Sequence, residues 1–281
     1  MPHYYINREW LEVDDPKISL HDAGFVRGDG IFESLLVENG HVFRLEDHLR
    51  RLFDGLEKIR ISPREDRRQL KALVREYIRR NSLYHAVIRV IVTRGIYPDM
   101  PWNYSGTNSL YITHTRPPEI PKPPVKVVFL DESEYPVIRH HPAVKSLNYL
   151  GNILAKMDAH AAGAFEPVMY NGEGNITEGG VRNVFFVKGE ILMTPPLSLG
   201  ILPGTMRDAV IETAREEGIE VREELIPQDE VWGMDEAFLT STAVKILPMM
   251  WDGWSGGDYQ LTERLSQELA LRMKKARREE T

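Results

Sequence analysis

An α+β chain of two domains is what this sequence predicts. Three observations carry that expectation. Two amphipathic helical runs, Leu45 to Ile59 and Asp66 to Arg80, lie among apolar runs of strand length. A proline-rich stretch, Arg116 to Pro124, reads as an extended linker. Beyond it, strands and helices alternate afresh to the end of the chain. The expected domains are therefore 1–117 and 125–281, joined by 118–124.

Composition narrows the function classes. The chain has 281 residues and 42% hydrophobic content, enough for one large or two modest cores. No apolar run reaches the roughly 18 residues of a membrane-spanning helix. The N-terminal MPHYYINREW lacks the basic-then-apolar pattern of a signal peptide. Cysteine is absent, which excludes disulfides and thiol catalysis. The expected location is the cytoplasm. With a net charge of −7, the only basic cluster is Arg272 to Arg278, which reads as the end of an exposed helix and not as a nucleic-acid face. No metal site is expected.

The elements follow in order. His3-Tyr4-Tyr5-Ile6 and Trp10-Leu11-Glu12-Val13 flank a turn and form a hairpin pattern. Gly24, Gly28 and Gly30 mark tight backbone, read as a loop, but their spacing is not that of a dinucleotide fingerprint. Ile31 to Val37 is a strand ending at Glu38-Asn39-Gly40-His41. The first helix has Leu45, Leu49, Leu52, Phe53, Leu56 and Ile59 on one face; the second carries Leu70, Leu73, Val74, Tyr77 and Ile78. Ala86 to Thr93 reads as a buried strand. Arg89 interrupts it, and a permanent charge there reads as half of a structural ion pair, as an edge position, or as a carboxylate receptor facing the cavity. Ser109 to Thr115 and Val125 to Leu130 are further strands. A helix over Tyr149 to Ala162 has Leu150, Ile153, Leu154 and Met157 at helical spacing. Strand Val184 to Val187, helix Thr205 to Glu217, strands Glu220 to Leu225 and Glu236 to Thr240, and helix Leu261 to Ala276 complete the chain.

The stretch His141 to Arg207 carries the chemistry. Lys145 stands on the loop before the helix at Tyr149, where its amine can face a cavity. Glu178 lies between a turn and two glycines. Leu202-Pro203-Gly204-Thr205-Met206 opens a helix, and such a start presents backbone N–H groups to an anion. Each feature alone is commonplace: a surface lysine, a turn glutamate, a helix cap. Together they match what pyridoxal phosphate (PLP) requires, which is an amine for its aldehyde, an acid against its pyridine nitrogen and a phosphate cradle.

The wording of these segments resembles the fold-type IV PLP enzymes: branched-chain aminotransferases, D-amino acid transaminases and aminodeoxychorismate lyases. The resemblance rests on Lys145 with Asn148-Tyr149-Leu150, Glu178-Gly179, Asn183-Val184-Phe185 and Leu202-Pro203-Gly204-Thr205-Met206-Arg207. Gly28-Asp29-Gly30-Ile31-Phe32-Glu33 and His48-Leu49-Arg50-Arg51-Leu52 add to it, so that it covers nearly the whole chain. It implies a small N-terminal α/β domain and a larger, β-barrel-like C-terminal domain with helices. Lys145 would be the catalytic lysine and Glu178 the partner of the pyridine nitrogen. Arg51, Ser241, Thr242 and the backbone N–H groups of Thr205 and Met206 would hold the phosphate. Met206 stands where the family has a hydroxyl residue, so only its backbone contact carries over. Leu202 would pack on the ring and Tyr149 contact the phenolic oxygen. A homodimer is also implied, with the Gly24–Gly30 loop of one protomer serving its partner.

Substrate is divided among three reactions. Lys145-Ser146-Leu147-Asn148 resembles the D-amino acid enzymes, whereas Phe32-Glu33, Arg89 and Tyr149 resemble the branched-chain enzymes. The D-enzyme's Arg-x-His carboxylate trap is absent from Arg94 to Met100, and Phe32 replaces its tyrosine. Arg27 and Arg89 are the candidates for carboxylate recognition beside Phe32. The expectation is transamination of a D-amino acid of the D-Ala or D-Glu type with a 2-oxo acid such as 2-oxoglutarate. A branched-chain L-amino acid aminotransferase is the alternative, and an aminodeoxychorismate lyase the second.

Overall fold

The computed structural model describes residues 3–12, 16–96 and 107–280. Val13 and positions 97–100 of the segment searched for the Arg-x-His trap lie outside these residues. The architecture is α+β in two compact units. One comprises residues 1–118 together with 144–148; the other comprises 119–143 and 149–281. The chain thus returns to the first unit for the five residues that include Lys145.

The first unit holds β1 (His3–Ile6), β2 (Glu9–Glu12), α1 (Ala23–Arg27), β3 (Gly30–Glu38), β4 (His41–Val42), α2 (Leu45–Lys58), α3 (Arg67–Arg80), β5 (His85–Thr93) and β6 (Ser109–Thr115). Its six-stranded antiparallel sheet runs β2-β1-β6-β5-β3-β4. Asn7 and Arg8 turn the first hairpin with φ of 47° and 77°, the twist that two-residue hairpin loops favour. Asp66 and Gln69 close a reciprocal capping box that starts α3.

Strand alternation sorts the sheet into two faces. Ile31, Leu35 and Val37 of β3 and Ile88, Val90 and Val92 of β5 pack with Leu49, Leu52 and Leu56 of α2 and with Val74 of α3. Phe32, Ser34, Arg89 and Ile91 fall on the opposite face, with Ser34 opposite Arg89 and Phe32 opposite Ile91. Arg89 is therefore not a charge inside a buried strand. It is exposed, because the two-residue period turns it away from the helices, and water meets the solvation that the apolar run seemed to deny it.

Arg27 departs from expectation as well. Residues Ala23 to Arg27 form a short helix, not a loop. The Asp22 carboxylate caps it by accepting from the Gly24 N–H, and Gly28, at φ 66°, ends it. Asp22 is itself buried and accepts from the hydroxyls of Thr93 and Tyr111. Arg27 is the exposed last residue of that helix.

The second unit holds β7 (Val125–Asp131), α4 (Leu150–Ala161), β8 (Glu166–Tyr170), β9 (Ile176–Gly179), β10 (Asn183–Lys188), β11 (Ile191–Thr194), α5 (Thr205–Glu216), β12 (Glu220–Glu223), β13 (Glu236–Ser241), β14 (Lys245–Met250) and α6 (Gln260–Glu280). A curled, mixed sheet of eight strands runs β12-β11-β10-β13-β14-β7-β8-β9. Val127, Val168, Val184, Phe186, Leu239 and Leu247 fill the core against it.

Helix α4 turns its large apolar residues outward. Leu150, Ile153, Leu154 and Met157 are exposed at 65%, 48%, 38% and 62%, while Gly151, Ala155 and Ala159 are buried. Small residues face inward because the backbone there comes very close: a Cβ on Gly151 would stand 2.6 Å from the carbonyl carbon of Pro136. The large apolar side chains are left as a stripe on the opposite side.

Candidate active site

Backbone pairing places Lys145. The free edge of β3 at Gly30–Phe32 takes up residues 145–147: the Phe32 N–H donates to the Lys145 carbonyl and the Leu147 N–H to the Gly30 carbonyl, both at 3.0 Å. Two glycines make room for this segment. A Cβ on Gly30 would lie 2.9 Å from Leu147 Cδ1, and one on Gly28 would lie 2.5 Å from Asn148 Oδ1. The Asn148 amide fastens the segment further by donating to the Gly28 carbonyl at 3.2 Å. Asp29, between the glycines, is gripped by Arg94 through bonds of 2.6 and 3.0 Å. Arg94 is thus a structural brace. So held, Lys145 is half-buried, with Nζ 4.5 Å from the centre of the Phe32 ring; Arg89 Cζ lies 5.1 Å from the same ring.

Arg51 is fixed by a residue to which the sequence reading gives no role. Glu33 faces the core side of β3 and is 1% exposed. Arg51 Nε donates to Glu33 Oε1 and Nη2 to Oε2, both at 2.7 Å. His48, one helical turn earlier on α2, meets Oε2 through Nδ1 at 2.8 Å. Burial pushes the Glu33 carboxyl up, but Arg51 and then the His48 contact outweigh it and bring it down to about 2. Burial lowers His48, which therefore stays neutral and donates Nδ1–H to the carboxylate. Two of the five guanidinium donors are committed to Glu33, and this sets the plane of the Arg51 fork. A signal existed in the sequence: Glu33 shares the alternation of Ile31, Leu35 and Val37, so that its carboxylate had to meet a cation in the core.

The second unit gathers the other predicted residues. Glu178 lies in β9, followed by the Gly179-Gly180 turn. Its Oε1 accepts from Arg139 Nη1, and its Oε2 accepts from the Leu202 N–H at 3.2 Å and the Asn183 amide at 3.5 Å. Asn183 also donates to the Leu202 carbonyl at 2.9 Å, tying Glu178 to the turn before α5. Gly204 is the N-cap of α5 with an ordinary φ of −68° and supplies no capping side chain. Glycine is needed there for space, since a Cβ would meet Asn183 Oδ1 at 2.1 Å. Thr205 and Met206 begin the helix with buried side chains, so Met206 offers only its backbone to an anion. Arg207, which completes the motif, is 1% exposed and bonded to Glu223 and the Pro195 carbonyl. Leu202 is half-buried, Tyr149 is the N-cap residue of α4, and Ser241 and Thr242 lie at the β13–β14 turn.

Each unit thus brings its own residues together: Lys145, Arg51, Phe32 and Arg89 in one, Glu178, Leu202, Thr205 and Met206 in the other. A family model for the class IV amino-transferases matches residues 30–250. The chain belongs to the class IV aminotransferases. The family's cofactor is pyridoxal phosphate, and the donor set fits it: an amine, a carboxylate with both oxygens bonded in place, an oriented guanidinium and a helix start opened by glycine. Among relatives, a Methanocaldococcus jannaschii protein provisionally named a branched-chain-amino-acid aminotransferase is 37% identical over 248 residues, covering 87% of this chain and 86% of its own. The D-alanine aminotransferase of Listeria monocytogenes serotype 4b is 30% identical over 259 residues, covering 87% and 85%. The Escherichia coli branched-chain amino acid aminotransferase superposes with a TM-score of 0.85 at 28% identity, over 94% of this chain and 92% of its own. That of Thermoproteus uzoniensis, solved with norvaline, gives 0.85 at 28%, over 96% and 94%. These comparisons favour the branched-chain alternative over the D-amino acid reading. Among the described residues no helix is long and apolar enough to cross a membrane, and no cluster of metal-ligating side chains is found.

The buried Glu33 makes this aminotransferase acid-sensitive in a definite window. Its carboxyl is depressed in the fold, so the stability it contributes is complete above about 4.5, the unfolded value, and is lost as pH falls toward about 2. His48 is also depressed, so the unfolded chain binds its proton first and stability begins to fall below about 6.5. Chemical denaturation across this range should show both losses. Glu33→Gln should cost roughly 3 kcal/mol at neutral pH, because it removes the buried anion that two Arg51 N–H groups face, and should flatten the slope below about 4.5. A slope as steep as that of the wild type would show that Glu33 does not govern it.

Proposed function

We propose that this aminotransferase exchanges the amino group of branched-chain L-amino acids with 2-oxoglutarate through bound PLP. The observation that carries the reading is the 37% identity to the archaeal relative over nearly the full chain, against 29–30% to D-alanine aminotransferases. The first unit supports it. The sheet face away from the helices carries Phe32, Val87 and Ile91, an apolar wall suited to a branched aliphatic side chain, with Arg89 beside it.

When bound, PLP supplies an aldehyde that bonds to amines and a ring that withdraws electrons from the substrate carbon. The residues do the rest. Lys145 would hold the cofactor through Nζ, and its amine would move a proton at the substrate α-carbon. Glu178 keeps a proton on the ring nitrogen. Arg51, the backbone N–H groups of Thr205 and Met206, and the hydroxyls of Ser241 and Thr242 hold the phosphate. Leu202 would pack on the ring and Tyr149 would meet its phenolic oxygen. Arg89 receives a substrate carboxylate, and Arg27 a second one, such as that of glutamate.

D-amino acid transamination remains the second reading. It is favoured by the Lys145-Ser146-Leu147-Asn148 wording and by the D-alanine aminotransferase relatives. A half-reaction screen separates the two. L-Leu, L-Ile and L-Val should discharge the cofactor absorbance at least tenfold faster than D-Ala or D-Glu, and Arg89→Leu should slow them while PLP stays bound. Faster turnover of D-Ala and D-Glu would reverse the assignment. Pyruvate release without a keto-acid acceptor would instead indicate a lyase.

The assembly is proposed to be a homodimer. The stripe Leu150, Ile153, Leu154 and Met157 on α4 is an exposed apolar surface of the kind that partners cover. A second copy is the occupant this family implies. Sedimentation should give a dimer, and Leu154→Glu with Met157→Lys should shift it toward monomer. A wild-type monomer with full activity would contradict this.

A further inference from the structure

Arg139, which bonds to Glu178, also holds a second carboxylate. It lies in the irregular segment after β7, and its side chain is 15% exposed. Nη1 donates to Glu178 Oε1. Nη2 donates to Glu132 Oε2 at 2.6 Å and to Thr177 Oγ1 at 3.2 Å. The Thr177 hydroxyl in turn donates to Glu132 Oε2 at 2.9 Å. One guanidinium is therefore shared by two carboxylates, whose side chains are 12% and 15% exposed.

We propose that Arg139 is a positioning residue for the cofactor's ring nitrogen, acting through Glu178, which it keeps ionised and turned. This rests on the reading that Glu178 meets that nitrogen. The argument is electrostatic. Two nearly buried carboxylates cannot both stay charged beside each other without a cation, and one takes up a proton. Arg139 removes that conflict. Burial would lower its own ionisation, but Glu178 and Glu132 outweigh this and raise it. Lys156 and Arg182, the cations on the other side of Gly179, are engaged elsewhere. Glu166, whose Oε1 lies 3.0 Å from where a Gly179 Cβ would stand, already takes Lys156 and Arg182. Geometry completes the case. Arg139 takes Oε1 while the Leu202 N–H and the Asn183 amide take Oε2, so the carboxylate is fixed in its plane. A protonated Glu178 could not hold a proton on the pyridine nitrogen.

The test compares two ligands on the full-length protein freed of cofactor: PLP, and its 1-deaza analogue, in which a C–H replaces the ring nitrogen. Equilibrium binding of each is measured for wild type, Arg139→Leu, Arg139→Lys and Glu178→Gln, with circular dichroism to confirm folding. Wild type should prefer PLP. Arg139→Leu should cut that preference by about tenfold or more, in line with loss of a charge-assisted bond. Glu178→Gln should abolish it, and adding Arg139→Leu to that variant should remove nothing further. Arg139→Lys, which keeps the charge without the fork, should fall between, and it decides the matter if the leucine variant does not fold. Equal weakening of both ligands in the Arg139 variants, with the preference intact, would make Arg139 merely structural and overturn the proposal. A wild type with no preference for PLP would instead remove the underlying assignment of Glu178, and the proposal with it.

Discussion

Two backbone hydrogen bonds hang the lysine segment on the edge of β3, and much of the first unit is arranged around them. The Phe32 N–H to Lys145 carbonyl bond and its Leu147–Gly30 counterpart convert a loop into an extra length of sheet. For this to happen the edge must be bare. Gly28 and Gly30 keep it so, and Arg94 holds Asp29 between them. The same pairing sets the height of the Lys145 side chain above Phe32. A mobile four-carbon stem thus starts from a fixed root, which is what a lysine that must bond, release and move a proton needs.

Charge is managed in the same way in both units. Arg51 does not approach an anion as a bare cation; Glu33 already holds two of its N–H groups and neutralises it. Glu178 is not a bare anion either, since Arg139 and the Leu202 N–H share it. In each case a partner from the same unit fixes orientation before any ligand arrives, at the cost of part of the attraction. The fold invests in direction more than in raw charge.

The sequence was most readable where periodicity is strong. Helices α2 and α3 begin and end within a residue or so of their expected bounds, because amphipathic spacing and the Asp66 cap define them. Strands β8, β9, β11 and β14 were not foreseen: short runs such as Glu166–Tyr170 carry prolines and charges that only their neighbours in the sheet make sense of. The exposure of Arg89 and of the α4 stripe was not legible in the sequence for one reason. An apolar pattern tells which residues share a face, not whether that face is covered; small Gly151, Ala155 and Ala159 won the interior because the Pro136 backbone lies so close. At the site, motif wording picked out Lys145, Arg51 and Glu178. Arg139 left no trace, since it stands in an irregular segment 39 residues from the carboxylate it holds.

Lys145 is the residue on which the chemistry turns. Purified full-length protein, loaded with PLP and reduced with borohydride, can be digested and its labelled peptide sequenced. The cofactor should be found on the peptide containing Lys145 and on no other. Label on Lys156 or Lys245, or reduction that leaves the chain unlabelled, would contradict it.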